Sequence, residues 1–415
     1  MLRAMKRVTW LLALPIAAAT LLLAACDRTP RAASTATSAA PTAATAATLK
    51  IASAEPVVTR TPIARPVSTV TAIGEAAMPR ARFVVQRRSD LWIVSPASPA
   101  RTRLVVSSEG EVEYGGTTRK GDLYYAVRET GQAQQDGRFA VYRVSLEGGP
   151  PVRLFDVEAT FFWLTVSSDG SRLAYAVNSR ERGLAEVYMQ ALPGGAPARL
   201  LSHDISKCFA TPRSFGACLS YATDSWSADG RYLAVRSNAY EWSEVGFLDT
   251  AASDSAIIRP STSAGRVMPA GRVRWHPTLP IACATLANDG PSWGAFVFDL
   301  RTRDVWSLDL GVPVGDASVN DCAWSPTGDL SYSKSAKSAD QQSLLLFGAD
   351  YEARTIGPLP GRNRFALPGW LPDGTGMALA QYADVPRPPF SVLGRSGTLA
   401  PLNLDADTIL DILPE

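Results

Sequence analysis

"SWSADGRYLAV", residues 225–235, carries the pattern on which the fold turns: a bulky residue, then Ser-x-Asp-Gly, then a short apolar run. "TVSSDGSRLAYAV" at 165–177, "AWSPTGDLSYS" at 323–333 and "GWLPDGTGMALA" at 369–380 follow the same plan. Taking the residue four places before each turn glycine as an anchor gives Thr117, Val166, Trp226, Trp275, Trp324 and Trp370. These are spaced 49, 60, 49, 49 and 46 residues apart. Self-similarity at such a period marks the blades of a propeller or the units of a solenoid.

The content of each unit decides for the propeller. After each turn comes a strand-like run such as "LAYAV" or "MALAQY", then a variable loop, a third run such as "GAFVFDL", and a fourth such as "ARLLS". Four short strands bounded by Gly, Pro, Asp and Ser make an antiparallel blade, so the chain is expected to be all-β. Asp and Gly form the hairpin between the first two strands, because Gly tolerates positive φ and Asp bonds nearby backbone amides. A carboxylate recurring in nearly every unit therefore reads as turn chemistry rather than as a ring of catalytic acids. The bulky anchor is expected to pack against the next blade.

Six anchored units leave "RFVVQ", "DLWIVS" and "TRLVV" over near 82–106, and "DTILDIL", starting at Asp407, over at the C-terminus. Both ends together would make a seventh blade and close the ring without exposed edges. Seven blades are expected, with six and an irregular N-terminal ribbon as the alternative. The repeat resembles the TolB-type, WD-like propeller repeat, whose core reads Trp-Ser-Pro-Asp-Gly-x-x-Leu-Ala. The resemblance spans residues 82–415 and implies a fold, because that family serves scaffolds, peptidase appendages and hydrolases alike. Two units depart from it: "WHPTLPIACA" from Trp275 lacks Asp-Gly, and "TTRKGDLYYAV" from Thr117 lacks Trp.

The N-terminus gives an address. Residues 1–25 combine a basic start, an apolar stretch and small residues, which is the plan of a secretory leader. Leu23-Ala24-Ala25-Cys26 resembles the lipobox of bacterial lipoproteins. That resemblance implies cleavage before Cys26, a diacylglycerol on its sulfur, and attachment to a membrane facing the periplasm or cell exterior. Asp27 resembles an inner-membrane retention signal. Residues 26–80 are rich in Ala, Thr, Pro and Ser, with almost no large apolar residue, and are expected to be a disordered tether reaching roughly 40 Å. Residues 81–415 then form the folded domain.

The 60-residue interval contains "CFATPRSFGAC" between Cys208 and Cys218, which reads as an inserted loop closed by a disulfide. Cys283 and Cys322 lie on strands of adjacent blades and either pair or remain buried thiols. With strands alternating in direction, the tight Ser-x-Asp-Gly turns fall on one face of the ring and the variable loops on the other. The loop face carries Tyr240, Trp242 and Trp293, and the insertion carries Phe209, Arg213 and Phe215; these are the candidate binding residues.

Formal net charge is +2, and part of that lies in the leader, which gives no nucleic-acid footprint. Only two histidines are present, His203 and His276, and each is read as structural. We recognise no nucleophile elbow, phosphate loop, dinucleotide fingerprint or zinc motif, and expect no cofactor, metal or catalytic residue. The reading is a monomeric, non-enzymatic lipoprotein whose propeller binds a protein or envelope polymer. The alternatives are a propeller hydrolase or lyase with a metal in the channel, and a carbohydrate-binding module.

Overall fold

The computed structural model describes residues 79–108, 110–129, 135–206, 219–238, 243–252, 256–260, 267–269, 272–288, 293–308, 317–336, 342–347, 353–359, 364–382 and 389–415. Apart from one short 3-10 turn at Pro99–Arg101, the elements among these residues are β-strands, and the described residues include no helix long and apolar enough to cross a membrane.

The described strands form seven antiparallel sheets. Sheet 1 draws on both ends of the chain: Thr408–Pro414 pairs with Ala81–Arg87, followed outward by Asp90–Val94 and Arg103–Val106. Sheets 2, 3, 4, 6 and 7 begin with the inner strands Val112–Thr117, Phe161–Val166, Ser220–Trp226, Ala317–Trp324 and Arg364–Trp370, and each adds three strands outward in chain order. In sheet 5 the inner strand is split. Val267–Pro269 and Arg274–Trp275 both pair with Ile281–Asn288. Consecutive inner strands lie side by side, and Thr408–Pro414 sits between those of sheets 7 and 2, so the sheets close a ring around an axis.

The apolar core is divided the same way, with one cluster at each junction. Phe139, Phe162 and Tyr175 fill the space between sheets 2 and 3. Phe83, Phe390 and Ile409 join sheet 7 to sheet 1, and Leu91, Tyr125 and Leu413 join sheet 1 to sheet 2. A strand buried on both faces must be apolar throughout rather than alternating. The second-strand run "LAYAV" has that character and is wholly buried, and "LAVRS" keeps it as far as Val235.

The bulky anchors correct the sequence reading in direction. Trp226 donates its indole N–H to the Thr165 carbonyl at 3.2 Å, Trp275 to Ser225 Oγ at 3.0 Å, Trp324 to the Arg274 carbonyl at 3.2 Å and Trp370 to Ser331 Oγ at 3.0 Å. Every acceptor belongs to the preceding sheet, not the next one. A buried indole needs a partner for its N–H, and it finds one there.

The pair Cys283–Cys322 forms a disulfide, with Cα atoms 6.4 Å apart. It joins the second strand of sheet 5 to the inner strand of sheet 6, and both residues are fully buried.

Candidate functional site

The repeated carboxylates work as turn caps. Ser167 Oγ donates to Asp169 at 2.6 Å, and the Ser171 amide donates to the same Asp169 oxygen at 3.0 Å. These bonds, the Ser167 hydroxyl foremost, bring the Asp169 carboxyl down to about 2. Asp229 and Asp373 receive equivalent amides from Arg231 and Thr375. Gly170, Gly230 and Gly374 supply the positive φ, near +70° in each. In the unit of Trp275, one of those without Asp-Gly, the job passes to His276, whose Nδ1 accepts the amides of Thr278 at 3.2 Å and Leu279 at 3.1 Å. Burial lowers the His276 pKa, which keeps that nitrogen available as an acceptor. His203 lies opposite Ala185 at the outer edge of sheet 3.

A second group of polar side chains faces the axis. β-Bulges interrupt the inner strands next to Gly115, Asp224, Asp321 and Pro368, and a bulge re-aims the side chain beside it. Asp224 accepts the Val273 amide at 3.1 Å and Arg236 Nη2 at 2.6 Å. Asp321 accepts the amides of Cys322 at 2.9 Å and Leu367 at 3.2 Å. Asp411 receives the hydroxyls of Tyr114 at 2.9 Å and Thr117 at 2.6 Å, and the Ile412 amide at 2.9 Å. The three aspartates thus tie sheet 4 to 5, sheet 6 to 7 and sheet 1 to 2.

Arg272 precedes the short strand Arg274–Trp275 of sheet 5, yet its charge acts on Glu113 and Tyr114 of sheet 2 and on Asp321 of sheet 6. Groups from sheets that are not neighbours can interact in this way only across the axis. Burial pushes the Glu113 carboxyl up to about 8, opposed by Arg272 and reinforced by Glu111. Burial also raises Asp321, against the pull of Arg274 and Arg272.

The Glu113 shift has a testable sign. A carboxyl whose pKa is raised by folding adds stability below its ordinary range, near 4.5, and loses that contribution as pH climbs toward 8. The melting temperature should therefore fall between pH 5 and pH 9, and Glu113→Gln should flatten part of that fall. Asp321 acts in the same direction and accounts for a residual slope. Identical pH slopes for Glu113→Gln and the native protein in thermal melts would contradict the assignment.

Most of the expected loop-face residues are not covered by these observations. Phe209, Arg213, Phe215, Tyr240 and Trp242, along with Cys208, Cys218 and Cys26, lie outside the described residues. Trp293 opens the third strand of sheet 5, opposite Ala287, at the loop end of the hairpin. One of the expected variable loops is in fact a tight turn. Residues 180–183 close on Gly183 at φ +65°, and the Arg180 amide donates to Asp136 from sheet 2 at 3.1 Å. The string GPSWG at 290–294 has the spacing of a nucleophile elbow, which corrects the sequence reading that found none. It joins the antiparallel strands Ile281–Asn288 and Trp293–Asp299, whereas an elbow joins a strand to a helix.

The axial residues were missed because turn motifs drew attention to the strand ends. A positional signal was present: Arg272 and Asp321 stand three residues before their anchors, and Glu113 stands four before Thr117.

No protein-family model matches this chain, and no curated protein matches it. Among solved structures, a prolyl endopeptidase superposes with a TM-score of 0.55 at 12% identity, over 79% of this chain and 50% of that one. The fold is a β-propeller. Dipeptidyl peptidase 4 of Porphyromonas gingivalis gives 0.50 at 13% identity, over 80% of this propeller chain and 53% of the peptidase. TolB from Acinetobacter baumannii gives 0.43 at 15% identity, over 69% and 65% of the two chains. The chain thus spans about half the length of the two peptidases and less than two thirds of that TolB. At such identities the likeness is one of fold, a propeller of four-stranded antiparallel blades.

Proposed function

We propose that this chain is an exported lipoprotein whose propeller is a non-enzymatic binding module for a protein or envelope polymer. Removal of the leader, residues 1–25, would leave the lipid-bearing Cys26 and the tether to residue 80 to hold a monomeric, seven-bladed ring near a membrane surface. The observation that carries the reading is the unequal construction of the two faces. On one face the hairpins are short and capped, by Asp169, Asp229, Asp373 and His276. Their carboxylates and imidazole are committed to backbone amides. The other face receives the connections between sheets, among them the one bearing Phe209, Arg213 and Phe215, and the hairpins between second and third strands, among them residues 239–242 with Tyr240 and Trp242. Loops on a rigid scaffold are where binding residues gather. Aromatic and Arg side chains in such places act as anchors.

The test uses the full-length chain in bacterial membranes. Cys26→Ser should release the processed protein from the membrane fraction with its melting temperature unchanged. Crosslinking from the anchored protein should capture a partner, and Trp242→Ala or Phe215→Ala should weaken capture about tenfold or more with stability intact. Membrane-bound, processed Cys26→Ser protein would refute the anchor. Lost stability with unaltered capture would refute the binding face.

A further inference from the structure

The axial cluster has more hydrogen-bond donors than acceptors free to meet them. Two of its acids are occupied, and burial keeps a third, Glu113, mostly protonated at neutral pH: Asp321 accepts the Cys322 amide on Oδ1 and the Leu367 amide on Oδ2. Asp411 accepts two hydroxyls on Oδ2 and the Ile412 amide on Oδ1. Its arginines are not. Arg274 Nε is buried without a partner, and among the described residues its Nη2 reaches only the Leu367 carbonyl, at 3.5 Å. Arg272 is exposed, and among the described residues no hydrogen bond or ion pair engages it. A buried N–H without an acceptor costs about 1–3 kcal/mol, and such an orphan commonly marks a missing ion or water.

We propose that the axial channel takes a carboxylate of a partner peptide, held by Arg272 and by the free Nε of Arg274. A guanidinium fork matches the planar geometry of a carboxylate. The choice of a monovalent anion follows from the acids beside the arginines: Glu113 and Asp321 feel the charge of Arg272, and a carboxylate adds the least negative charge next to them. A doubly charged phosphate would crowd those two acids. The proposal rests on the binding role argued above and names the chemistry that the channel recognises.

The test measures equilibrium binding to the full-length protein by calorimetry, with four probes. They are an acetylated, amidated glycine peptide with one central glutamate, its glutamine counterpart, the glutamine peptide with a free C-terminus, and acetate. The glutamate peptide, the free-terminus peptide or both should bind, the amidated glutamine peptide should not, and acetate should bind more weakly than the peptide that binds. The carboxylate peptide that binds tells whether a side chain or a chain end is recognised. Arg272→Gln should weaken that binding about tenfold or more, the loss expected for one charged hydrogen bond. Arg272→Lys should recover part of it and, keeping the charge beside Glu113 and Asp321, should melt as the native protein does, since among the described residues no hydrogen bond or ion pair engages Arg272. Equal binding by native protein and Arg272→Gln, or no preference for carboxylate over amide, overturns the proposal. Acetate binding as tightly as the peptides overturns the peptide source. Undiminished partner capture by Arg272→Gln removes the channel from recognition while leaving the loop-face reading standing.

Discussion

Deletion of residues 405–415 is expected to abolish the cooperative unfolding transition of the whole propeller. The tail contributes Thr408–Pro414, the inner strand of sheet 1, paired along the length of Ala81–Arg87. Ala406 and Ile409 belong to the core between sheets 7 and 1, and Leu413 to the core between sheets 1 and 2. Full burial of such aliphatic side chains stabilises by about 1.5–3 kcal/mol each. The loss of Asp411 would also leave the Tyr114 and Thr117 hydroxyls without their acceptor. The sum approaches the 5–15 kcal/mol by which ordinary domains are stable. A truncated chain should give no sigmoidal thermal melt and should be digested rapidly by a protease. A melting temperature within a few degrees of the native one would mean that the ring does not depend on its two-ended sheet.

Replacement of Cys283 and Cys322 together by Ala is expected to be the second most damaging change. The bond closes a stretch with a sequence separation of 39. In the chain-entropy treatment, a loop of that length is worth about 4 kcal/mol. The loss should lower the melting temperature by on the order of 10 °C. Because both sulfurs are fully buried, reductant should act on the native protein only after unfolding has begun. Melts with and without reductant should differ for the native chain and coincide for the double variant. An unchanged melting temperature in the variant would show that the junction of sheets 5 and 6 holds without its covalent link.

The fold was legible where one residue type answers one local demand. Asp-Gly turns recur where the inner strands of sheets 3, 4 and 7 fold back on their neighbours, and a two-residue signature survives in a single sequence. Strand remnants at both chain ends pointed to shared use of sheet 1. The axial cluster was harder to read because its members, Glu113, Arg272, Asp321 and Asp411, come from four sheets and share no residue type. Their meeting depends on bulges, which insert a residue without leaving a compositional mark. His276 shows the converse, a residue with catalytic associations serving two amides in place of the turn aspartate. The Cys283–Cys322 bond was one of two open readings, because strands on neighbouring blades bring sulfurs close without dictating whether they join.

Each tryptophan anchor fastens its own sheet to the one before it, so assembly has a direction as well as a shape. While the chain grows, every new sheet from the fourth onward can dock on a predecessor already in place. Sheet 1 alone must wait. Its strand Ala81–Arg87 is made before the other six sheets and keeps an open inner edge until Thr408–Pro414, made after them, arrives to cover it. Ring closure therefore reports that all seven sheets have been made, and any chain stopped before Thr408 shows its incompleteness as an unpaired strand edge.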